Sequence, residues 1–144
     1  PEPVLRVLPG PHADLLDPSA LEQLCAQPLR VGSSSNRIGY RLEGVQLRTK
    51  SGNLRSLGVL PGVIQVPPDG APILLMADAQ PTGGYPIAGV VIGPDLPLAA
   101  QLLPGDLARL RRTTQAEART AWQACASRRH IGFVDATLDQ LAVT

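Results

Sequence analysis

Fifteen prolines and fourteen glycines cut this 144-residue chain into short apolar pieces. Proline lacks a backbone donor, so within a sheet it belongs at strand ends, edges and bulges, and in a helix it belongs in the first turn. The pieces that remain are VLRVL (4–8), PGVIQV (61–66), PILLMA (72–77) and YPIAGVVI (85–92). They are short and rich in β-branched residues, which predicts strands. None approaches the ~18 apolar residues of a membrane span. Strands do not alternate regularly with long helices, which argues against a doubly wound α/β sheet. Six to eight short strands with Gly/Pro turns and three or four short helices predict a mainly β fold, a barrel or sandwich with helices at its periphery.

The remaining segments fit around that frame. DPSALEQLCAQ (17–27) predicts a short helix with Asp17 as N-cap and Pro18 at its first position. LRV (29–31) is a brief strand. SSSNRIGYRLEG (33–44) begins as a loop, with Asn36 suited to an Asx-type turn, and becomes a strand over 39–43 with Tyr40 toward the core. Residues 48–56 read as an exposed turn with Ser51-Gly52-Asn53 at its tip. Pro67-Pro68-Asp69-Gly70 should close a hairpin between PGVIQV and PILLMA. DLPLAAQL (95–102) predicts a short helix capped by Asp95, and LARLRR (107–112) a strand. Thr114 and Glu117 have the spacing of a capping box. The helix they open should run to about Arg129 with Ala118, Ala121, Trp122 and Cys125 on its buried face, and 134–144 could add a short terminal helix. Arg128, Arg129 and His130 near its end suit the macrodipole.

With 44% apolar and 17% charged residues, the chain reads as globular, one domain over 1–144. Only Tyr40, Tyr85, Trp122 and Phe133 are aromatic, so the core must be aliphatic. A net charge of +1 gives no general case for nucleic acid or an anionic membrane. Residues 56–108 hold four Asp and no Lys or Arg, while both flanks are basic. That distribution fits buried strands between solvated flanks, or a basic rim around an anion pocket. Cys25 and Cys125 form no CxxC, and His12 and His130 have no partner at zinc spacing, so no metal site and no disulfide framework are expected. The expected compartment is reducing, hence cytoplasmic. No signal peptide is expected, and the opening PEPVLRV without Met reads as a fragment or processed product.

DAQPTGGYP (78–86) interrupts the most apolar part of the chain with a stiff polar turn. As structure, its glycine pair could take positive φ while polar side chains cap loose backbone groups. As a site, Gly83 and Gly84 let backbone approach a ligand, while Asp78, Gln80, Thr82 and Tyr85 offer directional hydrogen bonds. Gln65 lies in an otherwise apolar strand. It either bonds a neighbouring strand end or faces the barrel mouth beside Gln80, where it could read an amide such as a lactam. At strand spacing, residues 37, 39 and 41 share a face, so Arg37 and Arg41 could clamp a carboxylate; equally, they could pair with Asp78 and Glu43. Asp78 is the one plausible general base on this ridge. No Ser/His/Asp arrangement is readable, and Gly62 and Gly70 lack the Gly-Lys-Ser/Thr ending of a phosphate loop.

NRIGYRLEG (36–44), PGVIQVPPDGAPILLMADAQPTGGYP (61–86) and DLPLAAQLLPGD (95–106), with VLRVLPGP at the start, resemble in order the second half of one family. It contains the C subunit of 5-oxoprolinase, also called allophanate hydrolase subunit 2 or the antagonist of a histidine-kinase inhibitor, and a related module lies in the carboxyltransferase domain of urea carboxylase. The resemblance covers about residues 4–118. It implies a cyclophilin-like β-barrel, the C-terminal half of a larger subunit, and a hetero-oligomer with the family's B subunit and, in the oxoprolinase, an A subunit. It implies ATP-dependent hydrolysis of 5-oxoproline to glutamate by that assembly, with ATP bound elsewhere and no cofactor in this chain. In the site it implies, Arg37 and Arg41 orient a carboxylate, and Gln65, Gln80 and Thr82 bond the amide beside Gly83 and Gly84. Asp78 and Tyr85 hold the loop or relay a proton. The alternatives are a non-catalytic antagonist that binds a kinase inhibitor, or a biotin-dependent carboxyltransferase domain. This chain departs from the family's common QTTGGYP at Pro81, and Ile87 stands where Lys or Arg is common. Prolyl isomerase activity is not expected, because the Phe-His-Arg context of cyclophilins is missing.

Overall fold

A computed structural model describes the backbone of residues 1–50 and 54–142, and side chains among these as far as residue 128. The expected turn tip Ser51-Gly52-Asn53 lies outside the described residues, as does the end of the expected terminal helix. The chain divides into two compact units, Pro1–Thr113 and Thr114–Thr144.

Alternating burial builds the first unit. In β1 (Val4–Pro9), Leu5 and Val7 are buried between more exposed neighbours. The same period-two pattern holds in β2 (Leu29–Val31), β3 (Gly39–Glu43) and β9 (Leu107–Arg112). With β5 (Val63–Gln65), β6 (Ile73–Leu75) and β8 (Ile87–Val91), these strands close a barrel in the order β1-β8-β5-β6-β3-β2-β9. The seam between β1 and β9 is parallel, with Leu5 opposite Leu110, and the other neighbours are antiparallel. Closure pairs every strand on both sides, so strands of three residues persist without exposed edges. The interior holds aliphatic side chains such as Leu5, Val7, Leu29, Ile64 and Leu74, with Tyr40 among them as expected. Each fully buried Leu or Ile contributes about 1.5–3 kcal/mol.

The hairpin β5–β6 forms in the expected place, with Ile64 opposite Leu74. At its entry Gly62 has φ +98°, a left-handed conformation that side chains resist. The polar stretch 78–86 is more than a turn: it contains β7 (Thr82–Gly83), which pairs with β4 (Leu57–Gly58) in a separate two-stranded ribbon.

Two expected caps take other partners. α1 (Ala20–Cys25) starts later than predicted, and the Asp17 carboxylate accepts the Ser19 backbone N–H (2.9 Å) and hydroxyl (2.6 Å) without capping the helix. α2 (Leu96–Ala99) has no side-chain cap, because Asp95 is engaged by Arg6 of β1. The barrel supplies a cation where local sequence could only suggest a backbone donor.

The second unit is α3 (Gln115–Ala142). The Glu117 N–H donates to Thr114 Oγ1 at 3.2 Å, one half of the expected capping box. The helix continues past Arg129 to Ala142 in one piece, since Gly132 weakens a helix by only about 1 kcal/mol and does not stop it. Its expected buried face is not buried: Trp122 is 53% exposed, and Ala118, Ala121 and Cys125 are half-buried.

Candidate functional site

The alternation that sends Tyr40, Leu42, Ile64 and Leu74 into the barrel sends the intervening side chains of β3, β5 and β6 outward. Gly39 and Arg41, Val63 and Gln65, Ile73 and Leu75 therefore belong to the outer face of one wall. A register shift where β5 meets β8 places Ile64 opposite Gly89 and Gln65 opposite Ile87, so the extra residue is Ala88 of β8 and β5 keeps its alternation. Gln65 thus faces the outside of the wall and not the barrel mouth.

The polar stretch lies across this wall and is tied down at several points. The Asp78 N–H donates to the Arg37 carbonyl (3.0 Å), and the Val59 N–H to the Pro81 carbonyl (2.9 Å). Between wall and stretch is a cleft of about 370 Å³. Val59, Ile73 and Leu75 give it an apolar base, continuous with a small hydrophobic cluster that includes Val63 and Ile87. That size is near the lower end of small-molecule sites.

Of the nine residues singled out in the sequence, seven line this cleft: Arg41, Gln65, Gln80, Thr82, Gly83, Gly84 and Tyr85. Arg37 and Asp78 do not. They bind each other at 3.0 Å on an exposed rim, the ion pair that was one of the two sequence readings. Arg41 pairs with Asp69, at 3.2 Å, and not with Glu43. Both partners are about half exposed, so Arg41 can exchange this contact for a ligand. The Ala71 N–H, and then the Arg41 guanidinium, hold the Asp69 carboxyl below its ordinary range.

Gln65 differs from its neighbours in being 7% exposed and polar. Among the described residues, no protein group takes up its carboxamide, and no polar side-chain atom is sealed from solvent without a partner. The amide accordingly opens into the cleft that it lines. Gln80, Thr82 and Tyr85 stand opposite it, more exposed, on the covering stretch. Arg41 is the one charged residue in the lining.

The glycine pair does not serve the first of the two purposes that sequence suggested. Neither Gly83 nor Gly84 has positive φ. A β-carbon at Gly83 would overlap the Gln65 carboxamide, whereas one at Gly84 meets nothing closer than 3.6 Å.

Sequence reasoning missed part of the lining. Ile73 and Leu75 could have been found from alternation in PILLMA about a buried Leu74. Ser34, Asn36, Val59 and Ala79 come from irregular segments with no periodic signal. The expected Asx turn is present, with Asn36 Oδ1 accepting the Ile38 N–H at 2.9 Å, and it brings Ile38 to the cleft. Among the described residues, no His, Cys, Asp and Glu side chains gather as a metal site, and no helix is long and apolar enough to cross a membrane.

Residues 1–112 match the family model described as carboxyltransferase domain, subdomain A and B. The C subunit of 5-oxoprolinase from Escherichia coli is 46% identical over 99 residues, 68% of this chain and 32% of that protein. The protein of the same name in Haemophilus influenzae is 37% identical over 116 residues, 80% of this chain and 38% of that protein. The chain thus spans about a third of the length of these relatives. The crystal structure of Kluyveromyces lactis urea carboxylase superposes with a TM-score of 0.74 at 26% identity, over 82% of this chain and 11% of that one.

Proposed function

Because the chain belongs to the carboxyltransferase domain, subdomain A and B family, we propose that it is the barrel module of the C subunit of a 5-oxoprolinase. In this reading it contributes one wall of a substrate site that the B subunit of the assembly completes. The names of the two bacterial relatives support the assignment to the C subunit. The observation that carries the site is the buried, unpartnered Gln65 carboxamide opening into the same cleft as Arg41. 5-Oxoproline carries a lactam and a carboxylate on one small ring. A carboxamide can both donate to and accept from a lactam edge, and a guanidinium can take a carboxylate bidentately.

The assigned roles follow from that fit. Arg41 orients the carboxylate. Gln65, Gln80 and Thr82 bond the lactam and the tetrahedral centre formed when water attacks it, with Gly83 and Gly84 allowing close approach of the strand. Tyr85 is the lining residue able to relay a proton, while Asp78 and Arg37 tie the covering stretch to the β3 loop. The barrel alone should be inactive, because an open half-site lacks the positioning that supplies most of the rate. ATP does not suit this cleft, which has one cation and no phosphate loop, so nucleotide chemistry is assigned to another part of the assembly, which includes the A subunit. A soluble, cytoplasmic complex is the setting this reading requires.

A second reading is carboxyl transfer of the urea carboxylase type. The barrel's likeness to the Kluyveromyces lactis enzyme favours it, and urea too presents a planar amide to Gln65.

The test is ATP-dependent release of glutamate from 5-oxoproline by the full-length protein that contains this chain, co-expressed with its A and B subunits. Gln80→Ala and Arg41→Ala should each lower the release at least tenfold. Release unchanged in both variants would remove these residues from the site. No release by a properly assembled complex would favour the carboxyltransferase reading.

A further inference from the structure

Gln65 is placed on the barrel wall, but the wall does not hold its amide. The side chain has no hydrogen-bond partner among the described residues. What lies against it is backbone: Gly83 of β7, whose absent β-carbon would occupy the position of the carboxamide. Since Gly83 has no positive φ, backbone conformation does not explain the glycine at this position. Space for Gln65 does.

We propose that Gly83 is a specificity-determining residue of the cleft. It sets the direction of the Gln65 amide by lying across it, so that the β4–β7 ribbon, and not the barrel wall, selects ligands carrying a planar amide. This rests on the reading of the cleft as an amide-binding site and assigns the selectivity of that site to a residue without a side chain. Gly83 is a positioning residue: it acts on the ligand through Gln65. The ribbon has two residue pairs, Leu57 with Gly83 and Gly58 with Thr82. Ribbons that short are marginal alone, so a methyl group at 83 would displace either the Gln65 amide or the ribbon. The amide gives way first, because it is the far end of a flexible side chain, and it is thereby reoriented.

Gly58 provides the control. It lies in the same ribbon, and a β-carbon there meets nothing within 4 Å. Binding is measured by titration and saturation-transfer NMR on the assembled complex without ATP. The probes are 5-oxoproline, 2-pyrrolidone (amide without acid) and cyclopentanecarboxylate (acid without amide). Gly83→Ala should weaken the two amide probes at least tenfold and leave cyclopentanecarboxylate within twofold. Gly58→Ala should bind all three as the parent does. In a Gln65→Leu background, adding Gly83→Ala should change nothing further, because the group it acts through is gone.

Equal losses for all three probes in Gly83→Ala, or an undiminished loss in the Gln65→Leu background, would reduce Gly83 to a structural residue and overturn the proposal. So would failure of both amide probes to bind the parent. If Gly83→Ala does not fold, Gln65→Asn in the same chain decides the matter. Its shorter side chain should restore folding and amide selectivity together, and folding restored without selectivity overturns the proposal. The two readings can fail separately. If 2-pyrrolidone shows the pattern and 5-oxoproline does not bind, the oxoprolinase assignment falls and the role of Gly83 stands. If 5-oxoproline binds parent and Gly83→Ala alike, the reverse holds.

Discussion

Asp95 stands immediately before α2, where its residue type predicts a cap, yet its carboxylate is held from 89 residues away. Arg6 Nη2 donates to one oxygen at 2.7 Å, and Arg6 Nε (3.0 Å) and the Arg6 backbone N–H (2.8 Å) donate to the other. Burial by itself would raise the Asp95 carboxyl, but hydrogen bonds from the Arg6 side chain and backbone outweigh it and hold the group below its ordinary range. A carboxyl lowered in the folded state stabilises the fold above the unfolded value, about 3.9. That contribution is lost as pH falls through the lowered folded value. Asp95→Ala should therefore cost about 2–3 kcal/mol at neutral pH, since it removes three part-buried hydrogen bonds to a carboxylate, two of them from a guanidinium. The difference between variant and parent should shrink toward zero in acid. Urea denaturation at pH 7 and at pH 3 checks both, and an equal difference at the two values would deny the pair its role. Local sequence could name Asp95 as a polar residue needing a donor, but the donor's identity depended on strand pairing.

The hairpin β5–β6 shows how an element constrains its own residues. Gly62 opens it at φ +98°, and a β-carbon there would meet the Val91 carbonyl oxygen at 2.7 Å. Gly62→Ala combines left-handed strain with overlap on rigid backbone, and should destabilise the barrel by about 2–3 kcal/mol. A thermal melt beside Gly58→Ala, which meets no neighbour, would show the contrast; equal melting temperatures would mean that the turn relaxes freely. The hairpin was legible because Pro67-Pro68-Asp69-Gly70 is a turn by residue type, between two apolar runs. The β4–β7 ribbon was not, because a two-residue strand such as Thr82–Gly83 has no period to detect, and its pairing with Leu57–Gly58 is a contact between distant segments.

At the scale of the whole molecule, the barrel carries its own core. The buried members of its main hydrophobic cluster run from Leu5 to Leu110, and the last strand is fastened by the Thr113 N–H on the Val7 carbonyl at 2.9 Å. Ending the chain after Thr113 should therefore leave the melting temperature within ~3 °C of the parent. A loss of the cooperative transition in calorimetry would show that the barrel depends on residues 114–144.

The positions of the barrel strands, the aliphatic interior, the hairpin turn and the polar character of 78–86 were determined by sequence alone. They rest on local facts: proline has no donor, glycine has no β-carbon, and strand side chains alternate. Seven of the nine residues singled out line one cleft, because two of their segments are strands and the third is bound to leave the sheet at its prolines. Tertiary structure decided the rest. It chose Arg6 for Asp95 and Asp69 for Arg41, turned Gln65 to the outer face of the wall, and placed Gly83 over its amide. Those outcomes depend on barrel closure and on register between strands far apart in sequence. Pairing of that kind is set by the packing of the whole core, and no window of neighbouring residues contains it.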